Sequence, residues 1–582
     1  RSIFSYLKNS RIFNVSGPTE CTCMCSAHLV NKKELFEKDN ISIGKINNYF
    51  NYKIAKVDNK RNHTIRGELY LEGPAVSQGY INDKKRTSEK FYKIGKYYGY
   101  KTGDIVVETK NKKLNIIGRE DNQIKFLGHR IEIEEIENNI NNICKCNDTP
   151  DFNNTIVAFE NAFNSLEHVV TIYYHYFASI ASDDIRKLVS EISSMSTKLN
   201  NDVYLNDILF SKIEAVYHDK NRSDYKNDDL RLLEEVYSSF LRNGANLNDS
   251  DKLKYRGITE KLSQLSPKYS NNVLNATNKI NEYWIENEED LEGIPGNAIE
   301  AAKLYAKSKD IDNKWCFTLD TNIGILLKSC KNRYIRENIT KLYGSKCNGD
   351  EYDNSDNLKM IAKLRHEKAN LLGYDTHADF VLDRRMAQNK DNVYKLIDDL
   401  IKPSYKIAVQ EFNNLSKYAI EKDGINKIEP WDLQYYSNMY KVETYDFDEE
   451  VLRPYFKSEN VVNGVFEVAN KLYGLEFNEL NDLDKFHEDV KIYEVKDIKG
   501  DYIGLLYEDI YPRKTKRGGA WMNQLKSQCV INDKMQHPHV TFNCNLTKST
   551  ATKPALLSLS EVRTIFHEFG HCLHGLLTNV KY

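Results

Sequence analysis

The apolar residues of this chain repeat on two different periods. The change from one to the other, near NNINNICKCNDTPDF (138–152), constrains the fold more than any other feature. Before it, short apolar runs punctuated by glycine, such as GELYLEGPAVSQGYI and GDIVVETKNKKLNIIGRED, read as strands joined by tight turns. From about residue 154 the period becomes helical. Val393, Leu396, Ile397, Leu400 and Ile401 fall on one face of a helix, as do Val462, Val465, Phe466, Ala469 and Leu472, with Gly474 placed to stop the second. VKIYEVKDIKGDYIGLLYEDIY alternates about Lys499-Gly500-Asp501 and predicts a hairpin, and VTFNCNL (540–546) predicts another strand. The expected protein is multidomain: an α/β, β-rich part over residues 1–140, then a mainly α part over 148–582 with a small β-sheet just before its last helix. The seam is too short and too mixed in composition to be a flexible linker.

At 582 residues with 40% hydrophobic and 29% charged residues, the chain suits a globular protein with several cores. A net charge of −2 supplies no basic surplus, so neither nucleic acid nor an anionic membrane is an expected partner. No run of about 18 apolar residues occurs, and the first thirty residues lack the apolar stretch of a signal peptide. A cytoplasmic location is expected, although residue 1 is Arg rather than Met. The 11 cysteines follow no framework spacing and are expected to be reduced thiols. Cys21, Cys23 and Cys25 with His28 would mimic a metal cluster on a strand, but Cys-x-Cys-x-Cys is not a structural-zinc spacing.

The strongest chemical signal is His567-Glu568-Phe569-Gly570-His571. Positions i and i+4 of a helix share a face, so both imidazoles can reach one zinc ion, and Glu568 between them can take a proton from an attacking water and deliver it to a leaving amine. Ile565, Phe566, Phe569, Leu573, Leu576 and Leu577 would bury this helix, with Ser558 and Ser560 as candidate caps. His574 is expected to pack beside the site rather than ligate. A catalytic zinc normally takes three protein ligands, and the motif supplies two.

Four stretches of the first part occur in one order: NVSGPTE (14–20), GELYLEGPAVSQGY (67–80), YKTGD (100–104) and GREDNQIKFLGHRIEIEEIE (118–137). Together they resemble the C-terminal part of the adenylate-forming superfamily, in particular amino-acid and D-alanine-carrier-protein ligases. The resemblance implies that Thr19 contacts phosphate, Glu20 magnesium, Asp104 and Arg119 the ribose, and that Asp121 is a hinge. ATP and Mg²⁺ would be needed only by a complete domain. Ser16 stands where the family usually has an aromatic ring, and the family's phosphate loop and catalytic lysine are missing from the motif order.

Over the larger part, VYLNDILFSKIEAVY, FLRNGANL, DFVLDRRMA, EPWDLQYYSNMY, YPRKTKRGGAWM and KPALLSLSEVRTIFHEFGHCLHG follow one another. This resembles the thimet oligopeptidase and peptidyl-dipeptidase family of zinc metallopeptidases, a zincin-like fold with one zinc per chain and a channel that admits short peptides. By the family's layout the strand around Val540 to Asn545, including Asn543, would pair with a bound peptide through an exposed edge. Gly518 and Gly519 would let backbone approach closely, and Thr515 departs from the glycine usual in that loop. The family's third zinc ligand is a glutamate some two dozen residues past the second histidine, which places it outside the 582 residues. The expected function is zinc-dependent hydrolysis of short oligopeptides, impaired with only two ligands. The alternatives are a carboxylic- or amino-acid ligase that forms adenylates, or an inactive chimera of the two.

Overall fold

The computed structural model describes residues 13–582 apart from positions 23, 31–41, 56–64, 82, 110, 120–123, 127–128, 132, 220–224, 532–533, 547 and 550–553. The chain divides into two compact units, Arg1–Glu134 and Glu135–Tyr582. The division falls at the start of a helix, Ile133–Lys145, that occupies much of the sequence around the period change.

In the first unit, β1 (Phe13–Ser16), β2 (Ser26–Leu29) and β3 (Lys45–Ile46) form one antiparallel sheet. β4 (Asn51–Ala55), β5 (Ile65–Gly73), β6 (Phe91–Ile94), β7 (Tyr97–Glu108) and β8 (Leu114–Arg119) form a second, in the order β4-β5-β7-β6 with β8 also on β7. Alternation buries Leu69, Leu71, Tyr100 and Val106 against Phe91 and Leu114, which is what the glycine-punctuated apolar runs predicted. Cys21 sits in a single 3₁₀ turn, not on a strand, and is buried, as is Cys25, while Cys23 lies outside the described residues.

The second unit is mainly helical. The helices that matter below are α1 (Asn164–Ser179), α2 (Lys390–Asp423), α3 (Ser458–Tyr473) and α4 (Leu559–Leu577). α3 buries Val461, Val462, Val465 and Ala469 and ends on Gly474 at φ +69°, the left-handed conformation that glycine adopts without strain. Leu472, expected on the same buried face, is exposed. α2 departs further from expectation. It is a helix over the predicted residues, yet Leu396, Ile397, Leu400 and Ile401 are exposed, and among its described residues only Ala419 is buried. Periodicity gave its conformation, but its apolar residues are covered only near its end, where Leu415, Tyr418 and Ala419 pack with Tyr435 and Tyr436.

The predicted small sheet has five strands: β9 (Glu476–Leu480), β10 (Lys491–Lys496), β11 (Tyr502–Asp509), β12 (Trp521–Lys526) and β13 (His539–Asn543), in the order β9-β10-β11-β13-β12. The β10–β11 hairpin turns at Gly500, whose φ is +85°. β13 runs parallel to β11 and antiparallel to β12. Because side chains alternate, Leu506, Val540 and Phe542 face α3 and α4 in one core with Val465, Ile565, Phe569 and Leu576, while Asp509, Thr541 and Asn543 point to the other face.

Candidate active site

α4 begins with a reciprocal cap. Ser558 Oγ accepts from the Glu561 backbone N–H at 3.2 Å, and Glu561 Oε2 accepts from the Ser558 N–H at 2.7 Å. Ser558 is therefore the cap, and Ser560 lies inside the helix. Ile565, Phe569, Cys572 and Leu576 are buried against the sheet. Phe566 and Leu577, predicted to join them, are exposed at 43% and 38%. The buried stripe is narrower than the sequence suggested, and the motif's histidines lie on the open side.

There the imidazoles of His567 and His571 stand one turn apart, with ring centroids 5.0 Å apart and planes at 87°. Glu568 is only 8% exposed. Its carboxylate adds to burial in raising two neighbouring thiols: Cys544 is pushed up to about 12 and Cys572 is also raised, desolvation being the larger cause at both. These thiols are protonated packing groups. Cys572 Sγ lies 3.8 Å from the Thr541 carbonyl oxygen, as a weak donor to it. Glu508, on the same face, is fully buried and accepts from the Tyr493 hydroxyl at 2.8 Å, and burial holds its carboxyl above the usual range.

Glu568, His571 and His574 share a cleft of about 720 Å³ with Trp521, Met522 and Gln524 of β12. The helix reaches β12 through Gly575. A Cβ there would lie 2.6 Å from Met522 Cε and 3.0 Å from Val540 Cγ1, so a side chain much larger than a methyl group would hold the helix away from the strand. The far wall is formed by Gln528, whose amide exchanges hydrogen bonds with the Val580 backbone at 2.9 and 2.8 Å, and by Tyr582, whose hydroxyl donates to Asp229 at 2.7 Å.

The expected peptide-pairing strand needs correcting. Val540 and Asn543 lie on β13, which is hydrogen-bonded on both sides, to β11 and to β12, and both residues are fully buried. A strand with both edges occupied cannot accept another. The edges of this sheet are β9 and β12, and β12 is the one whose residues line the cleft. Gly518 and Gly519 lie in the loop leading into it. Gly519 needs glycine for its φ of +90°, and a Cβ at either position would meet nothing within 4 Å. The predicted close approach is thus not made by any described part of the chain. Thr515 is fixed through its carbonyl, which accepts from the Ala181 N–H at 3.0 Å.

His567 and His571 fit two positions of a tetrahedral zinc site, being exposed, one turn apart and next to a shielded carboxylate. Among the described residues no group of three or more His, Cys, Asp or Glu converges as a metal site. In the first unit, Thr19 is exposed and Glu20 Oε1 accepts from the Tyr80 hydroxyl at 2.9 Å. Asp104 and Arg119 are register partners on β7 and β8, and Asp121 lies outside the described residues.

Sequence reasoning missed Met522, Gln524, Gln528, Gly575 and Tyr582 as cleft residues. Only proximity in sequence to the motif could have suggested Gly575 and Tyr582, and nothing local marks the others.

Residues 326–582 match the family model described as peptidase family M3. Dipeptidyl carboxypeptidase of Escherichia coli is 31% identical over 436 residues, 74% of this chain and 64% of that protein. Oligopeptidase A of the same organism is 35% identical over 358 residues, 60% of this chain and 52% of its own length. Saccharolysin of Saccharomyces cerevisiae is 28% identical over 475 residues, 77% of this chain and 65% of that protein. The chain therefore spans less than two thirds of the length of each of these relatives. Among solved structures, the Vibrio cholerae adenylation domain AlmE shares 29% identity over 24% of this chain and 27% of that chain, at a TM-score of 0.20, too low to carry an argument. By lineage the chain is an enzyme, its residues 326–582 matching peptidase family M3 and its curated relatives being peptidases.

Proposed function

We propose that the larger unit is a zinc-dependent metallopeptidase that hydrolyses short peptides. The observation that carries this reading is the placement of His567 and His571 on the open side of α4, with the shielded Glu568 between them and the one-sided strand β12 across the cleft. His567 and His571 would hold the zinc, which when bound polarises a carbonyl and acidifies water. Glu568 accepts the proton of the attacking water and passes it to the departing amine. β12 offers its free backbone edge to an extended peptide, which suits recognition that tolerates many sequences because main-chain groups are common to all of them. Met522 and Gln524 face the cleft from that strand and bracket the peptide's side chains.

A cytoplasmic setting is supported by the ten described cysteines, all free. No helix among the described residues is long and apolar enough to cross a membrane.

The test is cleavage of an internally quenched peptide by the full chain in the presence of added zinc. Hydrolysis that zinc stimulates and Glu568→Gln abolishes supports the reading. Hydrolysis indifferent to both, or none at saturating zinc, sinks it.

A further inference from the structure

On the face of the sheet away from α4, three side chains stand in a row. Trp521, Asn543 and Asp509 are direct register partners across β12, β13 and β11. At one end, Asp509 accepts both terminal nitrogens of Arg513, at 2.8 and 2.7 Å, and the Arg513 Nε donates to the Ser179 carbonyl on α1 at 2.8 Å. Two residues further along β12, Asn523 Nδ2 lies 3.4 Å from Nδ1 of His175, one helical turn before Ser179. This turn of α1 is therefore pinned to the row at both ends, with His175 and Ser179 turned toward it.

Four polar atoms of these side chains are buried without a hydrogen-bond partner: His175 Nε2, Ser179 Oγ, Trp521 Nε1 and Asn543 Oδ1. His175, Ser179 and Asn543 are fully buried and Trp521 is 8% exposed. Left dry, each would cost a substantial part of a domain's net stability, and the large majority of buried polar groups in native interiors find a partner. Together they offer an N–H donor, a carbonyl acceptor, a hydroxyl and an imidazole nitrogen, the set that complements water. A charged guest does not fit. Asp509 is already engaged by Arg513 and Lys516, and burial lowers the His175 pKa to about 4, leaving the ring neutral.

We propose that His175, Ser179, Trp521 and Asn543 enclose an internal hydration site whose bound water joins α1 to the edge strand β12. It goes beyond the peptidase reading and does not depend on it. The consequence is mechanical: the water links the helix to the strand that carries the free edge.

The sign of one substitution decides the matter. In a dry site Ser179→Ala removes an unsatisfied hydroxyl and raises the Tm of the full chain; in a hydrated site it removes a partner of the water and lowers the Tm, by about 1–2 °C for a unit of this size. A lowered Tm is expected, and an unchanged or raised one overturns the proposal. A crystal structure of the unsubstituted chain provides a second measurement that needs no variant. Ordered water within hydrogen-bond distance of at least three of the four atoms is expected. Direct pairing among the atoms, or a collapsed site without density, overturns the proposal equally.

Discussion

Gly575 faces Met522 so closely that a Cβ on the glycine would lie 2.6 Å from the methionine's terminal carbon. The nearest obstacles, Met522 Cε and Gln524 Nε2, are the far ends of flexible side chains, so a methyl group can push them aside. Alanine also gains about 0.5–1 kcal/mol of helix propensity over glycine. Gly575→Ala is therefore expected to change stability by less than about 1 kcal/mol, whereas Gly575→Leu overpacks the contact and costs about 1–3 kcal/mol. Denaturant unfolding of both variants checks the pair, and equal destabilisation by Ala and Leu contradicts it.

Acid sensitivity should come from two desolvated histidines, His175, which is buried, and His539, which is half-buried. Burial lowers His175 and His539 from their ordinary value of 6.5 to about 4. Between those values the unfolded chain binds protons that the folded chain does not. Their stabilisation is thus fully present above pH 6.5 and is lost as pH falls through that window toward 4. Tm measured from pH 7.5 to 4.5 should fall, and His539→Gln should make the slope shallower. An unchanged slope in the variant removes His539 from the explanation.

The metal-site helix was legible because its signals are local. A serine cap, an apolar stripe and two histidines four residues apart all lie within Ser558–Leu577. The β10–β11 hairpin was legible for the same reason, its turn being written in Lys499-Gly500-Asp501. Strand order is not local. The edge role of Val540 and Asn543 rested on the family resemblance, and only the insertion of β13 between β11 and β12 shows that the edge beside the cleft belongs to Trp521–Lys526. The burial of α2 failed for a related reason, since a helical period says which residues share a face but not whether anything covers it. In the first unit the strands were readable from glycine spacing, but the nucleotide contacts assigned to Thr19, Glu20, Asp104, Arg119 and Asp121 rested on resemblance alone.

The exposed face of α2 makes a further prediction. Leu396 and Leu400 are 62% and 59% exposed and one turn apart. Leu396→Glu with Leu400→Lys replaces them by a favourably oriented pair at a cost or gain within about 0.5 kcal/mol. The doubly substituted chain should keep its Tm and bind less of a hydrophobic dye. A large loss of stability would show that these leucines are covered in solution.

The last prediction separates the three histidines of α4 by role. His567 and His571 are one turn apart with rings at 87°, and Glu568 between them is shielded. His574 lines the same cleft but sits three residues beyond His571, and its carbonyl is held by the Thr578 hydroxyl at 2.7 Å near the helix end. If one zinc bridges the first two, His567→Ala and His571→Ala should each weaken zinc binding by about 100-fold or more, because each leaves a single imidazole. His574→Ala, a neighbour rather than a ligand, should weaken it by less than about 10-fold. Competition with a chromophoric chelator reads all three on the same scale without requiring catalysis. Equal losses at His571 and His574 with none at His567 would move the metal one turn down the helix, away from Glu568, and leave that carboxylate without its proton-transfer role.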